Sequence, residues 1–107
     1  MSHLTATKTQ VKNLDLMKKV LKQLMFQHRE DMEISSYQKV FNVDLAINIK
    51  NLYWIGLKAN DSGAYEAVAD WDELNNFGLR NWQKILQEYS IEAAKEDTST
   101  DDNDDFS

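Results

Sequence analysis

Three acids, Asp70, Asp72 and Glu73, crowd around Trp71. Carboxylates held close together in a pocket can pass protons or hold Mg²⁺. The same residues also make an ordinary acidic strand end at a turn, and that plainer reading competes throughout. His3 is the next candidate. With Met1 retained, Met1-Ser2-His3 offers an amine, two amides and an imidazole, the square-planar set that suits Cu(II) or Ni(II). A small second residue such as Ser2 favours removal of Met1, which breaks that spacing and leaves His3 as a polar residue at a strand start. His28 is the only other histidine, so neither a two-His helix motif nor a three-His zinc site can be built. The count of cysteines is 0, which removes thiolate chemistry, disulfides and Cys-ligated metals. With only 3 glycines there is no Gly-rich phosphate loop. No cofactor or metal site is expected, and no catalytic residue is assigned.

Binding chemistry has more support. Tyr53, Trp54, Tyr65 and Trp71 fall in segments that read as neighbouring strands. On an open sheet face such rings stack on single-stranded bases beside basic side chains. Residues 43–71 supply only Lys50 and Lys58 for that role, so core packing or docking of a protein partner accounts for the rings better. Lys12, Lys19 and Lys22 group on one side of a helix, with Asp15 among them. They are either an ordinary solvated face or the electrostatic half of a binding surface. The chain closes on Asp101-Asp102-Asn103-Asp104-Asp105-Phe106-Ser107. Acidic tails with a near-terminal aromatic are similar to those of bacterial and phage single-strand-binding proteins, where they recruit partners. The candidate partner-binding residues are therefore Lys12, Lys19, Lys22, Tyr53, Trp71, Asp105 and Phe106.

The elements that position these residues follow from periodicity. Leu4, Ala6 and Lys8 alternate with Thr5, Thr7 and Thr9, which predicts a first strand. Asn13 or Gln10 stands where a helix cap belongs, with Asp15 in the first turn. Leu14, Met17, Leu21 and Leu24 then recur at helical spacing over about 12–26, and Leu16, Val20 and Met25 widen the stripe. Met32, Ile34 and Ser36 alternate with polar neighbours. Val43, Leu45, Ile47 and Ile49 predict a strand with one buried face. Leu52 to Lys58 suits a central strand, and Asn60-Asp61-Ser62-Gly63 has the chemistry of a turn. Ala64 to Trp71 follows as a further strand. Asp72 to Asn76 reads as a turn or short helical piece. Leu79, Trp82, Ile85, Leu86 and Tyr89 predict a second helix to about residue 94. The expected fold is α+β, in the order β-α-β-β-β-β-α, with four to five antiparallel strands and two helices on one face.

Charge divides the 107 residues in the same way. Residues 95–107 carry Lys95 against six acids, net −5 of the whole chain's −6. With no apolar period there, residues 1–94 are expected to fold as a single domain and 95–107 to be a disordered acidic tail. Within the domain, residues 1–28 are net +4 and residues 59–94 net −5, an asymmetry that bears on partners. No apolar run approaches the roughly 20 residues of a membrane span, and no secretory signal is visible. A cytoplasmic or plastid-stromal location is expected.

Three blocks of the chain resemble a small family of hypothetical chloroplast reading frames, found in cyanobacteria and algal plastids with bacterial and phage relatives. The first is MSHLTATKTQVKNLDLMKKVLKQLMF, matching at Ser2, His3, Leu4, Lys8, Thr9 and the helix Asn13–Met25. The others are VDLAI at 43–47 and IGLKANDSGAYEAVADWDEL at 55–74. Residues 26–42 lack the Gly-rich, Arg-containing turn of the family, and the acidic tail is extra. The family is a domain of unknown function, so the resemblance implies lineage and fold, with no reaction or cofactor. The expectation is a small, soluble, non-enzymatic accessory protein of a cyanobacterial, plastid or cyanophage setting, acting by binding a partner protein. The alternative is a nucleic-acid-associated protein using the Lys-rich helix, aromatic sheet face and acidic tail. The oligomeric state is left open.

Overall fold

The computed structural model describes residues 4–36 and 39–106, with side chains through Glu96. Its elements are β1 (Thr5–Lys8), α1 (Leu14–Gln23), β2 (His28–Ser35), β3 (Val40–Ile49), β4 (Tyr53–Ala59), β5 (Tyr65–Ala69) and α2 (Trp71–Phe106). The strands form one antiparallel sheet in the order β1-β5-β4-β3-β2. This is the expected α+β order, with β4 central. β1 and β2 hold the two edges, so α1, which joins them, crosses the whole helix-bearing face. Both edges are protected against pairing with another chain: β1 has 4 residues, and β2 carries His28, Arg29, Glu30, Asp31 and Glu33. The acidic stretch expected to be disordered lies, from residue 97 on, outside the described side chains.

α1 forms where its stripe and caps agree. The Asn13 side chain accepts from the Leu16 N–H at 3.1 Å, and Asp15 and Lys22 sit at the ends that suit their charges. Leu16, Met17, Val20 and Leu21 are buried. Met25, expected to widen that stripe, is instead 85% exposed. The helix ends at Gln23, and Met25 turns to a left-handed φ of 65°. Its N–H reaches Lys22 O at 3.2 Å and the Phe26 N–H reaches Leu21 O at 2.8 Å, which is a Schellman cap. Phe26, one residue on, takes the buried place.

The main core lies between sheet and helices. Leu45, Ile47 and Ile49 of β3, Ile55 and Leu57 of β4, and Ala67 and Ala69 of β5 pack on α1 and on Leu74, Trp82, Ile85 and Tyr89 of α2. Tyr89 also fastens the helices to each other. Its hydroxyl accepts from the Lys12 and Asn13 N–H groups, each at 3.1 Å, at the start of α1.

Val43 departs from the expected single face of β3. It joins Leu4, Ile34, Ala46 and Val68 in a second cluster on the other side of the sheet. The β3–β4 pairing stops at Leu45↔Leu57, and the Ala59 N–H bonds the Asp44 Oδ2 at 2.9 Å. Opposite, in β2, Asp31 takes a φ of 50°. From there the outer half of the β2–β3 hairpin leaves the β4 ladder and folds across the sheet. Gly56 permits this, since a Cβ there would lie 2.5 Å from Val43 Cγ1 and 2.8 Å from Ile34 Cδ1.

Candidate functional site

The part of this second face that the hairpin leaves uncovered is a cleft. It has a volume of about 360 Å³ and is lined by Leu4, Ile34, Ser35, Ser36, Leu52, Tyr53, Trp54, Asp70, Glu73 and Leu74. Register explains the assembly. Trp54 pairs with Asn48, and Gly56 pairs with Ala46 on one side and Val68 on the other. Trp54 therefore shares a face with a run of small side chains and packs against the second cluster. Lys50 and Asn51 both take left-handed φ values, 52° and 64°, and the Leu52 N–H closes the turn on Ile49 O at 2.9 Å. That turn leaves Leu52 65% exposed at the rim.

The floor of the cleft is polar and strained. Asp70 Oδ1 accepts from the Glu73 N–H at 3.2 Å and so caps the first turn of α2. Asp70 Oδ2 is buried and has no hydrogen-bond partner among the described residues. Four residues after the helix starts, Asn75 breaks it with φ 50° and ψ −165°. A non-glycine residue in such a region costs on the order of 1–3 kcal/mol. Its side chain recovers part of that. Oδ1 accepts from the Phe77 N–H at 2.9 Å, recapping the helix, and Nδ2 donates to the Tyr53 hydroxyl at 3.0 Å. The break also presses Leu74 onto Gly78, where a Cβ would lie 2.5 Å from Leu74 Cδ2. The short helical piece expected at 72–76 is this capped turn.

The candidate residues are spread over the molecule. Tyr53 lines the cleft. Trp71 does not; its Nε1 donates to Thr5 O at 3.1 Å, and its ring tilts against Trp82 with centroids 6.3 Å apart. Tyr65 likewise packs against the main core. Lys12, Lys19 and Lys22 are exposed around α1, on the far side of the sheet from the cleft. Asp72 is exposed on α2 and does not line the cleft with Asp70 and Glu73. The side chains of Asp105 and Phe106, and His3 altogether, lie outside the described residues. Sequence reasoning paired Asp70 with its neighbours in the chain and missed Trp54, Leu52 and Ile34 as its neighbours in space. Counting the register across β5, β4 and β3 was the only available signal.

A second concavity adjoins the first across Trp54. It is lined by Phe26, Gln27, His28, Arg29, Asn48, Asn51 and Trp54, with a volume of about 510 Å³. Asn48 is spoken for by the Asn51 N–H, 2.8 Å from its Oδ1, and Lys50 covers the Phe26 ring at 4.9 Å. This end is basic where the first cleft is acidic. Among the described residues, no group of three or more His, Asp or Glu side chains is placed to hold a metal ion.

Residues 20–103 match the model of a family described as a protein of unknown function, DUF1257. The chain belongs to that family. The DUF1257 match takes in β2 to β5 and most of α2, so every residue lining the cleft except Leu4 falls within it. None of the curated proteins and none of the solved structures matches the DUF1257 chain.

Proposed function

We propose that this DUF1257 chain is a small, non-enzymatic accessory protein that binds a partner protein through the open face of its sheet. The observation that carries this reading is the cleft between Leu52, Trp54 and Asp70: aromatic and apolar walls left uncovered on a face whose other half is packed. Interfaces concentrate their binding energy in such aromatic anchors. Among the described residues the lining includes two acids and two serines but no histidine or lysine to act as their base, which favours binding over turnover. The resemblance of its three sequence blocks supports a cyanobacterial, plastid or cyanophage setting, and with it a cytoplasmic or stromal location. No described helix is long and apolar enough to cross a membrane.

The test is capture from extract of such a cell, before and after nuclease treatment. A stoichiometric protein should be retained by the full chain and lost with Leu52→Glu or Trp54→Ala. Equal capture by those variants would overturn the assignment to this face. A nucleic-acid role remains as the second reading, on the observation that His28 and Arg29 stand beside Trp54, with Lys50 nearby. Binding that falls steeply with salt and vanishes with nuclease would favour it.

A further inference from the structure

Asp70 is divided between two tasks. One carboxylate oxygen caps α2, and the other is buried with nothing among the described residues to accept from. A buried acceptor normally has a partner, and a carboxylate oxygen is matched best by a charged donor. The cleft around it has the complementary character. Among the described residues, Asp70 and Glu73 are the charged ones that line it, and no Lys or Arg does. Trp54, packed on this face, brings an aromatic ring, and rings of this kind attract ammonium and guanidinium groups. Leu4, Ile34 and Leu52 supply apolar surface for an aliphatic stem, such as those that carry the charge in Lys and Arg. Asn75 spends a strained backbone on fixing the Tyr53 hydroxyl and on starting α2 afresh just beyond Glu73. An anion would meet two acids here, and a neutral apolar group would leave Oδ2 unmatched.

We infer that the cleft takes a cationic side chain, the ammonium of a Lys or the guanidinium of an Arg, presented by the partner protein, with the charge against Trp54 and paired to Asp70 Oδ2. This rests on the protein-binding reading above and specifies what the cleft reads. Asp72, exposed beside Glu73 in the first turn of α2, extends the same preference beyond the cleft, toward a partner segment with net positive charge.

The experiment is a titration of the ¹⁵N-labelled full chain with acetyl-arginine methylamide, acetyl-lysine methylamide and acetyl-norleucine methylamide, which has a stem but no charge. The two cationic amides should give saturable shifts at the Trp54 indole and the Tyr53 and Glu73 amides, weakening as salt is added. Norleucine should bind about tenfold more weakly or less. Asp70→Asn keeps an Oδ1 to cap α2, since Asn caps as well as Asp, and should remove the preference for charge. Trp54→Leu keeps the surface apolar and should weaken both cationic amides. Equal binding of norleucine, binding untouched by Asp70→Asn, or the lack of any saturable shift would each overturn the inference. Tighter binding of spermidine than of either amide would overturn a protein side chain as the source. If Asp70→Asn still captures the protein partner that Leu52→Glu loses, the protein-binding reading stands and the cationic reading falls.

Discussion

The two faces of the sheet are built from alternate residues of the same strands, yet they are finished differently. On the helix side, Leu45, Ile47, Ile55 and Leu57 are wholly buried under α1 and α2, and the polar groups at the margin are matched. The Tyr89 hydroxyl there accepts two backbone donors at once. On the other side, Ala46, Gly56 and Val68 make a thin layer covered by the folded-back hairpin together with Leu4 and Trp54. Where that cover stops, a tryptophan stands partly exposed, a carboxylate oxygen lacks a partner, and a helix is broken at a strained Asn75. Folding alone would remove all three features. Their concentration around the cleft sets this part of the molecule apart from the helix side.

The largest expected effect tests the helix side. Leu21 is fully buried between α1 and the sheet, so Leu21→Ala should cost about 2–5 kcal/mol in a denaturant melt. A loss within about 0.5 kcal/mol would be that of a surface position and would break the contrast between the faces. Gly56→Ala comes next. The added methyl meets Val43 and Ile34, and the hairpin must lift; overpacking of this kind costs about 1–3 kcal/mol. Because the hairpin borders the cleft, Trp54 fluorescence should change in the folded variant as well. An unchanged spectrum would mean that hairpin and cleft are independent. Tyr89→Phe should cost about 1–2 kcal/mol by leaving the Lys12 and Asn13 N–H groups unmatched, while leaving the Trp54 signal alone.

The helix side was far more legible in the sequence than the open side. Asn13 as cap, the α1 stripe and the central place of Leu52–Lys58 follow from local period and chemistry. So does the turn at 60–63, where Asn60 Oδ1 accepts from the Ser62 N–H at 2.9 Å. The cleft depends on events that are not local. Val43 changes face because β2 and β3 bend together, at Asp31 and Asp44, and period-two counting assumes that neither does. Asp70 meets Trp54 only through the combined register of three strands. Tyr53 is fixed by Asn75, a residue 22 positions on whose backbone no propensity favours. Met25 was misplaced for a smaller reason: a left-handed cap at a residue other than glycine leaves no mark in the hydrophobic pattern.

The smallest expected effect compares one acid from each side. Glu30, on β2, has its cation within the molecule: Lys18 of α1 donates to its Oε1 at 2.6 Å. That hydrogen bond, more than the charge alone, holds the Glu30 carboxyl below its ordinary range and the Lys18 ammonium above its own. A carboxyl with a lowered folded value stabilises fully above its unfolded value and loses that contribution as pH falls through the folded one. A lysine with a raised value stabilises below its unfolded value and loses that contribution only as pH rises through the folded one. The pair is therefore intact between the ordinary carboxylate and lysine ranges. Both groups are on the surface, so the contribution is small and screened by salt. Glu30→Gln should lower the melting temperature slightly near neutral pH, and the difference from wild type should close in acid, below the range where Glu30 titrates. Asp70→Asn should behave otherwise. It removes no internal cation pair and keeps the cap, so its unfolding free energy at neutral pH should stay within about 0.5 kcal/mol of wild type. Its effect should appear only when a charged ligand is present. A larger loss for Asp70→Asn than for Glu30→Gln in the free protein would show that the open-side acid serves the fold, and the division between the faces would have to be redrawn.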